Sequence, residues 1–150
     1  MKRSSALAPL SRDHHHALVV AQRLSRATEE DAAPATEAFV AFLSGHELAH
    51  FALEESVLLP LVAGDGPGEQ MAARIRADHA ALREDLERLR NTGGTGAKST
   101  DLHTVGERLR SHVQLEEREF FPYLEQMLDE SALADLAEKL SVATGGLGEP

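Results

Sequence analysis

The sequence predicts an all-α protein: an antiparallel up-down four-helix bundle with a short extra helix at its C-terminal end. Three observations carry that expectation. Apolar residues recur every three to four positions through four long segments. Nowhere does the chain show the strict alternation of a half-buried strand. The joins between the segments are short and rich in glycine, proline or small polar residues, which sets consecutive helices side by side and antiparallel. A length of 150 residues fits a single domain with a sizeable core, here expected at about 5–130, followed by a short helix at 131–142 and a flexible tail at 143–150.

The first helix is expected from about Pro9 to Thr28, with Leu7, Leu10, Leu18 and Ala21 on one face. Pro34 marks a break, since proline has no N–H to give a continuing helix. A second segment then runs to about Ala63, ended by Gly64-Asp65-Gly66-Pro67-Gly68. The third spans about Glu69 to Arg90, with Met71, Ile75, Leu82, Leu86 and Leu89 in register. "NTGGTGAKST" follows. Its "GGTGAKST" resembles a phosphate-binding loop only in outline, because Ala97 stands where the motif requires glycine and no strand precedes it. It reads as a flexible linker. The fourth segment, about Thr100 to Asp129, carries Leu102, Val105, Leu109, Phe120 and Tyr123. The extra helix, "SALADLAEKL", opens with Ser131 as an N-cap and stops before a glycine-rich tail.

Composition removes several classes of function. The net charge is −10, from 25 acidic against 15 basic side chains, with no basic block, so neither nucleic acid nor an anionic membrane surface is the expected partner. Cysteine is absent, which excludes disulfides, thiolate metal sites and cysteine nucleophiles. No signal-like h-region opens the chain and no apolar run reaches membrane-spanning length, so a soluble cytoplasmic protein is the expectation. What stands out is eight histidines against one tyrosine and no tryptophan.

Helical phase sorts those histidines. Residues turn about 100° apart on a helix, so positions four apart share a face. On the first helix His14 lines up with the apolar stripe, while His15 and His16 turn to the flank and to solvent. On the second, His50, Glu54, Val57 and Leu61 continue the line of Phe39 and Leu43. His79 sits at the edge of the third stripe. On the fourth, His112, Glu116, Glu119 and Tyr123 follow Val105, and His103, nine residues before His112, faces the other way into solvent. Each helix thus offers one inward histidine, and the second and fourth each add an inward glutamate one turn on. Burying unpaired carboxylates costs several kcal/mol each. The nearby cations in sequence, Arg83 and Arg108, cannot satisfy six polar side chains; a metal can.

The second and fourth helices carry the same motif. "HFALEESVLLP" at 50–60 and "HVQLEEREFFP" at 112–122 share His, Leu, Glu, Glu and Pro at identical offsets. H-x-x-x-E stacks an imidazole and a carboxylate on one helix face, aimed at one centre. The second glutamates, Glu55 and Glu117, turn outward into solvent. Pro60 and Pro122 should end or kink their helices just past the site. A competing motif, H-E-x-x-H at His46 to His50 with Glu47 as general base, would make a zinc protease helix. That reading lacks a strand-bearing scaffold and the glycine of the metzincin extension at position 53, and it ignores three other inward histidines. A ferritin-type site would need two E-x-x-H pairs, and only Glu47-Leu48-Ala49-His50 fits.

With "RDHHHAL" on the first helix, the two H-x-x-x-E-E motifs, and "ADHAALR" on the third, the chain resembles the hemerythrin-like, or HHE cation-binding, family over about residues 5–130. The resemblance implies a non-haem diiron centre inside the bundle, oxo- or hydroxo-bridged and carboxylate-bridged. Its ligands would be His14, His50, Glu54, His79, His112 and Glu116, with Glu54 and Glu116 bridging. The chain departs from the oxygen-carrying hemerythrins, whose third helix gives two histidines four residues apart; here the flanking positions are Ile75 and Arg83. His46, one turn before His50 and rotated about 40°, is the candidate replacement or a hydrogen-bonding neighbour of the ligands. Tyr123 is a candidate hydrogen-bond or electron donor, or a core residue. Imidazole and carboxylate suit iron and also accept zinc or manganese. The expected function is binding or sensing of O₂ or NO, or handling of iron or redox stress, with a small diatomic ligand or peroxide as the small-molecule partner and a sensor signalling by docking to another protein. A peroxidase- or catalase-like diiron enzyme and a structural zinc bundle are the alternatives.

Overall fold

In the computed structural model, which describes residues 3–92 and 97–144, four helical rods pack in a square and a fifth helix closes one end. α1 runs Ala8–Ser25, with Pro9 in its first turn, where a backbone N–H has no intrahelical partner to lose. The second rod is segmented: α2 Ala32–Phe42, a wide π-turn Leu43–Glu47, α3 Leu48–Leu53, a second π-turn Glu54–Leu58 and a closing 3₁₀ turn Leu59–Val62. Pro34 lies inside the first turn of α2 rather than before it, for the same reason that Pro9 is tolerated. Gly64, at φ 82°, turns the chain into α4, Gly66–Thr92. The fourth rod joins α5 Ser99–Leu115, a π-turn Glu116–Phe120 and α6 Phe121–Met127. α7 spans Glu130–Thr144. Its first turn is capped by Asp129, whose Oδ1 accepts from the Ala132 N–H at 2.8 Å, and not by Ser131. The centre of the expected linker, 93–96, and 145–150 of the expected tail lie outside the described residues; 143 and 144 belong to α7.

Neighbours in the square follow the chain. α1 packs on α2 and α5, and α4 on α2 and α5. Gly106 lets α5 approach α1 closely: a Cβ there would stand 2.8 Å from the Ala21 carbonyl oxygen and 2.7 Å from Ser25 Oγ. The apolar core is split in two. One cluster holds Ala17 to Leu24 of α1, Phe39, Phe42, Leu82 to Leu89 and Leu102 to Val113; the other holds Leu7, Leu10, Leu58 to Val62, Ile75, Phe120 to Leu124 and, from α7, Leu136 and Leu140. Between them lies a polar layer. Among the described residues there is no strand, and no helix is long and apolar enough to cross a membrane.

Two expectations about the core need correcting. Leu18 is 39% exposed, because the packed face of α1 steps through Leu10, His14, Ala17, Ala21 and Leu24 and leaves Leu18 on its flank. In the second rod, Leu58, Leu59 and Val62 are the buried residues past Glu54, while Val57 and Leu61 are half-buried. The π-turn that starts at Glu54 inserts a residue into the helical repeat, so the inward phase moves on by one position. The two motif prolines also behave differently. Pro60 sits in the 3₁₀ turn that ends its rod, whereas the helix continues past Pro122 to Met127. In the fourth rod the Phe121 N–H reaches back to Glu116 O in the wide pattern. By the same spacing Pro122 would have served Glu117 O, and Arg3 Nη2 donates to that carbonyl instead, at 2.8 Å.

Candidate metal centre

Six side chains make the polar layer: His14 from α1, His50 from α3, His79 from α4, His112 from α5, and Glu54 and Glu116, each the first residue of a π-turn. None is more than 2% exposed. Glu54 divides its oxygens, with Oε2 2.9 Å from His50 Nε2 and Oε1 3.0 Å from His79 Nε2. Glu116 Oε1 lies 2.9 Å from His14 Nε2 and 3.7 Å from His112 Nε2. The layer therefore forms two groups that share both carboxylates: His14, His50, Glu54 and Glu116, and Glu54, His79, His112 and Glu116. Within each group one donor atom per residue lies within 4.8 Å of all the others, a spacing that can hold a cation.

The donor set fits a cation in a second way. His112 Nε2 and Glu116 Oε2 are buried without a hydrogen-bond partner. Leaving such atoms unsatisfied costs about 1–3 kcal/mol each, more for charged groups. A nitrogen and an oxygen left over in one shared group are complementary to a metal of intermediate hardness, such as iron, manganese or zinc.

Without a cation the layer is held by protons. Burial opposes a charge on His14, but hydrogen bonds to Glu116 and Glu117 outweigh it and raise the imidazole from 6.5 to about 9. His50 and His112 are likewise raised against their burial, by Glu54 and Asp13 for the first and by Glu116 and Asp78 for the second. Burial also opposes ionisation of Glu54, yet His50 and His79 hold it well below the ordinary carboxylate range. Glu116 goes the other way, pushed up to about 7 by burial and by the neighbouring charge of Glu54. Two carboxylates this close do not both ionise at ordinary cost unless positive charge lies between them.

Around the layer stands a set of carboxylates that helical phase misplaces. Glu117 Oε2 lies 2.5 Å from His14 Nδ1 and Glu55 Oε2 2.7 Å from His79 Nδ1, so neither glutamate is merely solvated. Each follows the first residue of a π-turn, where successive side chains turn by less than in a regular helix, which keeps the second glutamate near the core. Asp13 Oδ2 lies 3.1 Å from His50 Nδ1, and Asp78 Oδ2 3.2 Å from His112 Nδ1. Along the sequence these two aspartates show only as the recurring pairs Asp13-His14 and Asp78-His79, while each acts on the histidine of the next rod. Glu47, considered in the sequence only as the general base of the protease motif and in an E-x-x-H pair, is buried; its Oε1 has no hydrogen-bond partner and lies 3.9 Å from His50 Nδ1. Burial raises its carboxyl.

The two supplementary candidates stand apart from this layer. The His46 side chain is 55% exposed, with Nε2 3.8 Å from Asp13 Oδ1, at a cleft of about 290 Å³ that Leu10, Asp13, Gly45 and His50 also line. Tyr123 points its hydroxyl at Asp65 Oδ2, in the turn before α4. Arg83, one of the departures on the third helix, donates twice to Glu55 at 3.0 and 3.1 Å and lies over the Phe51 ring. Phe51 in turn stacks on His79, ring centroids 4.0 Å apart, and meets His112 edge-on, so an aromatic ring closes that side of the layer. Arg108 pairs with Asp85, away from the layer. His103 is half-buried rather than solvated, its Nε2 2.7 Å from the Ala27 carbonyl.

A family model described as the hemerythrin HHE cation binding domain matches residues 5–124. No curated protein and no solved structure matches the chain.

Proposed function

This chain belongs to the hemerythrin HHE cation-binding domain family, and from that premise we propose that it binds two non-haem irons in the polar layer and presents them to a small diatomic ligand or peroxide. His14 and His50 would hold one iron, His79 and His112 the other, and Glu54 and Glu116 would bridge. The observation that carries this reading is the division of Glu54, one oxygen toward His50 and the other toward His79. A carboxylate shared in that way joins two centres instead of completing one. A bound iron pair would supply the redox and ligand-binding chemistry toward O₂, NO or peroxide that no side chain here provides.

The chain's own residues do the rest. Imidazole Nε2 atoms and two carboxylates present the donors, Phe51 and Phe121 stack on His79 and His14 and exclude water, and the cleft at Asp13, His46 and His50 gives a small molecule an approach from one side. Sensing or iron handling fits this arrangement, with a sensor passing its signal to a protein partner. The test is Glu54→Ala and Glu116→Ala. Each removes a residue shared by both groups, so each is expected to lose both irons together, read as iron per chain by elemental mass spectrometry. A variant that keeps one iron at full occupancy would contradict the bridging role. Zinc in place of iron, inert to O₂, would make the site a structural tie between helices.

A further inference from the structure

The four histidines of the layer are held from outside by four carboxylates, each from a neighbouring rod. Asp13 on α1 meets His50 of the second rod, and Glu55 of the second rod meets His79 on α4. Asp78 on α4 meets His112 on α5, and Glu117 of the fourth rod meets His14 on α1. The contacts pass once round the square in one direction and close. Two of the four are themselves pinned by guanidiniums: Arg83 donates to both oxygens of Glu55, and Arg3 Nη2 lies 3.2 Å from Glu117 Oε1. Ser11 Oγ donates to Glu117 Oε2 at 2.7 Å.

The ring has a direction because the chain carries its parts twice. Asp13-His14 followed by His50, Glu54 and Glu55 recurs as Asp78-His79 followed by His112, Glu116 and Glu117. Each aspartate serves the histidine of the next helix within its own half of the chain. Each second glutamate crosses to the other half. One consequence concerns the two groups of the layer: His14 and His50 are held by Glu117 and Asp13, and His79 and His112 by Glu55 and Asp78.

An imidazole whose Nδ1–H donates to a carboxylate has its tautomer fixed and its Nε2 lone pair directed away from that carboxylate, here into the layer. The carboxylate also makes that lone pair a stronger donor. We propose that Asp13, Glu55, Asp78 and Glu117 are positioning residues for the cation pair and that they work as two couples: Asp13 with Glu117 on the ion held by His14 and His50, Asp78 with Glu55 on the ion held by His79 and His112. This rests on the paired-cation reading given above and adds which outer residue governs which ion.

Metal-free protein is titrated with cobalt(II), followed by its visible ligand-field absorption, for the parent chain and for Asp13→Asn, Glu117→Gln, Asp78→Asn and Glu55→Gln. The amide oxygen of each variant still accepts the Nδ1–H bond, so the change removes charge while leaving shape. The parent chain is expected to bind two ions. Each single variant should weaken one of them by about 10- to 100-fold and shift that ion's bands alone. The double variant Asp13→Asn with Glu117→Gln should leave one tight and one weak ion, and Asp13→Asn with Asp78→Asn should weaken both. Parent-like affinity and spectra in all four single variants would overturn the proposal, and so would equal weakening of both ions by every single variant. A parent chain that binds fewer than two cobalt ions would overturn the paired-cation reading itself, and the ring's role with it.

Discussion

His14 lies between two glutamates, with Glu116 on Nε2 and Glu117 on Nδ1, and that placement ties stability to pH when no cation is bound. Its pKa rises on folding from 6.5 to about 9, so the folded chain holds a proton that the unfolded chain has released. The contribution is full below about 6.5 and is lost as pH climbs through about 9. Glu116, raised from 4.5 to about 7, acts in the same sense over a lower window, since there too the folded chain binds the extra proton. Metal-free protein is therefore expected to melt at a lower temperature at pH 9 than at pH 7. Metal-loaded protein should not, because the cation has replaced those protons. Thermal melts of both forms at the two pH values check this, and a flat metal-free profile would count against it. Two other residues calibrate the site. His16 packs on Phe42 and His103 bonds to the Ala27 carbonyl, both outside the layer. His16→Ala and His103→Ala should keep parent metal content by elemental analysis, with His103→Ala losing about 1 kcal/mol of stability for the hydrogen bond.

Among the elements, the wide turns separate what periodicity reveals from what it conceals. Phase counting at about 100° per residue identifies His14, His79 and His112 as inward because each lies in a regular helical stretch, and it also finds His50, although the π-turn Leu43–Glu47 stands between His50 and the Phe39 it is counted from. Past Glu54 and Glu116 the count fails. The π-turns there shift Leu58 inward in place of Val57 and keep Glu55 and Glu117 beside the histidines. The aspartates were hidden for another reason: Asp13 and Asp78 act on a neighbouring rod, and a pattern read along one helix carries no record of a contact between two. Gly106 is of the same kind, an ordinary glycine until α1 is placed against it. Gly106→Ala would gain up to about 1 kcal/mol of helix propensity. It would also drive a methyl against the Ala21 carbonyl and Ser25 of α1, which are backbone and near-backbone atoms that cannot swing away. Overpacking of that sort costs about 1–3 kcal/mol, so a net lower stability is expected in chemical denaturation, with metal stoichiometry unchanged. A variant more stable than the parent would mean that α1 and α5 have slack at this crossing.

Across the whole molecule, two apolar clusters are separated by one polar layer, and that layer draws a residue from every rod. A bundle cut in this way gives up apolar burial at its middle and needs a compensating interaction there. Protons shared among histidines and glutamates supply one; cations bridged by Glu54 and Glu116 would supply a stronger one and couple all four rods at once. Stripping the metal with a chelator should accordingly lower the melting temperature, and restoring it should reverse the loss. If the layer holds a pair of irons, the metal identity and metal-to-protein ratio of chain produced with ample iron will show it. Elemental mass spectrometry should find close to two irons per chain. One metal per chain, or zinc alone under those conditions, would contradict the paired-iron account.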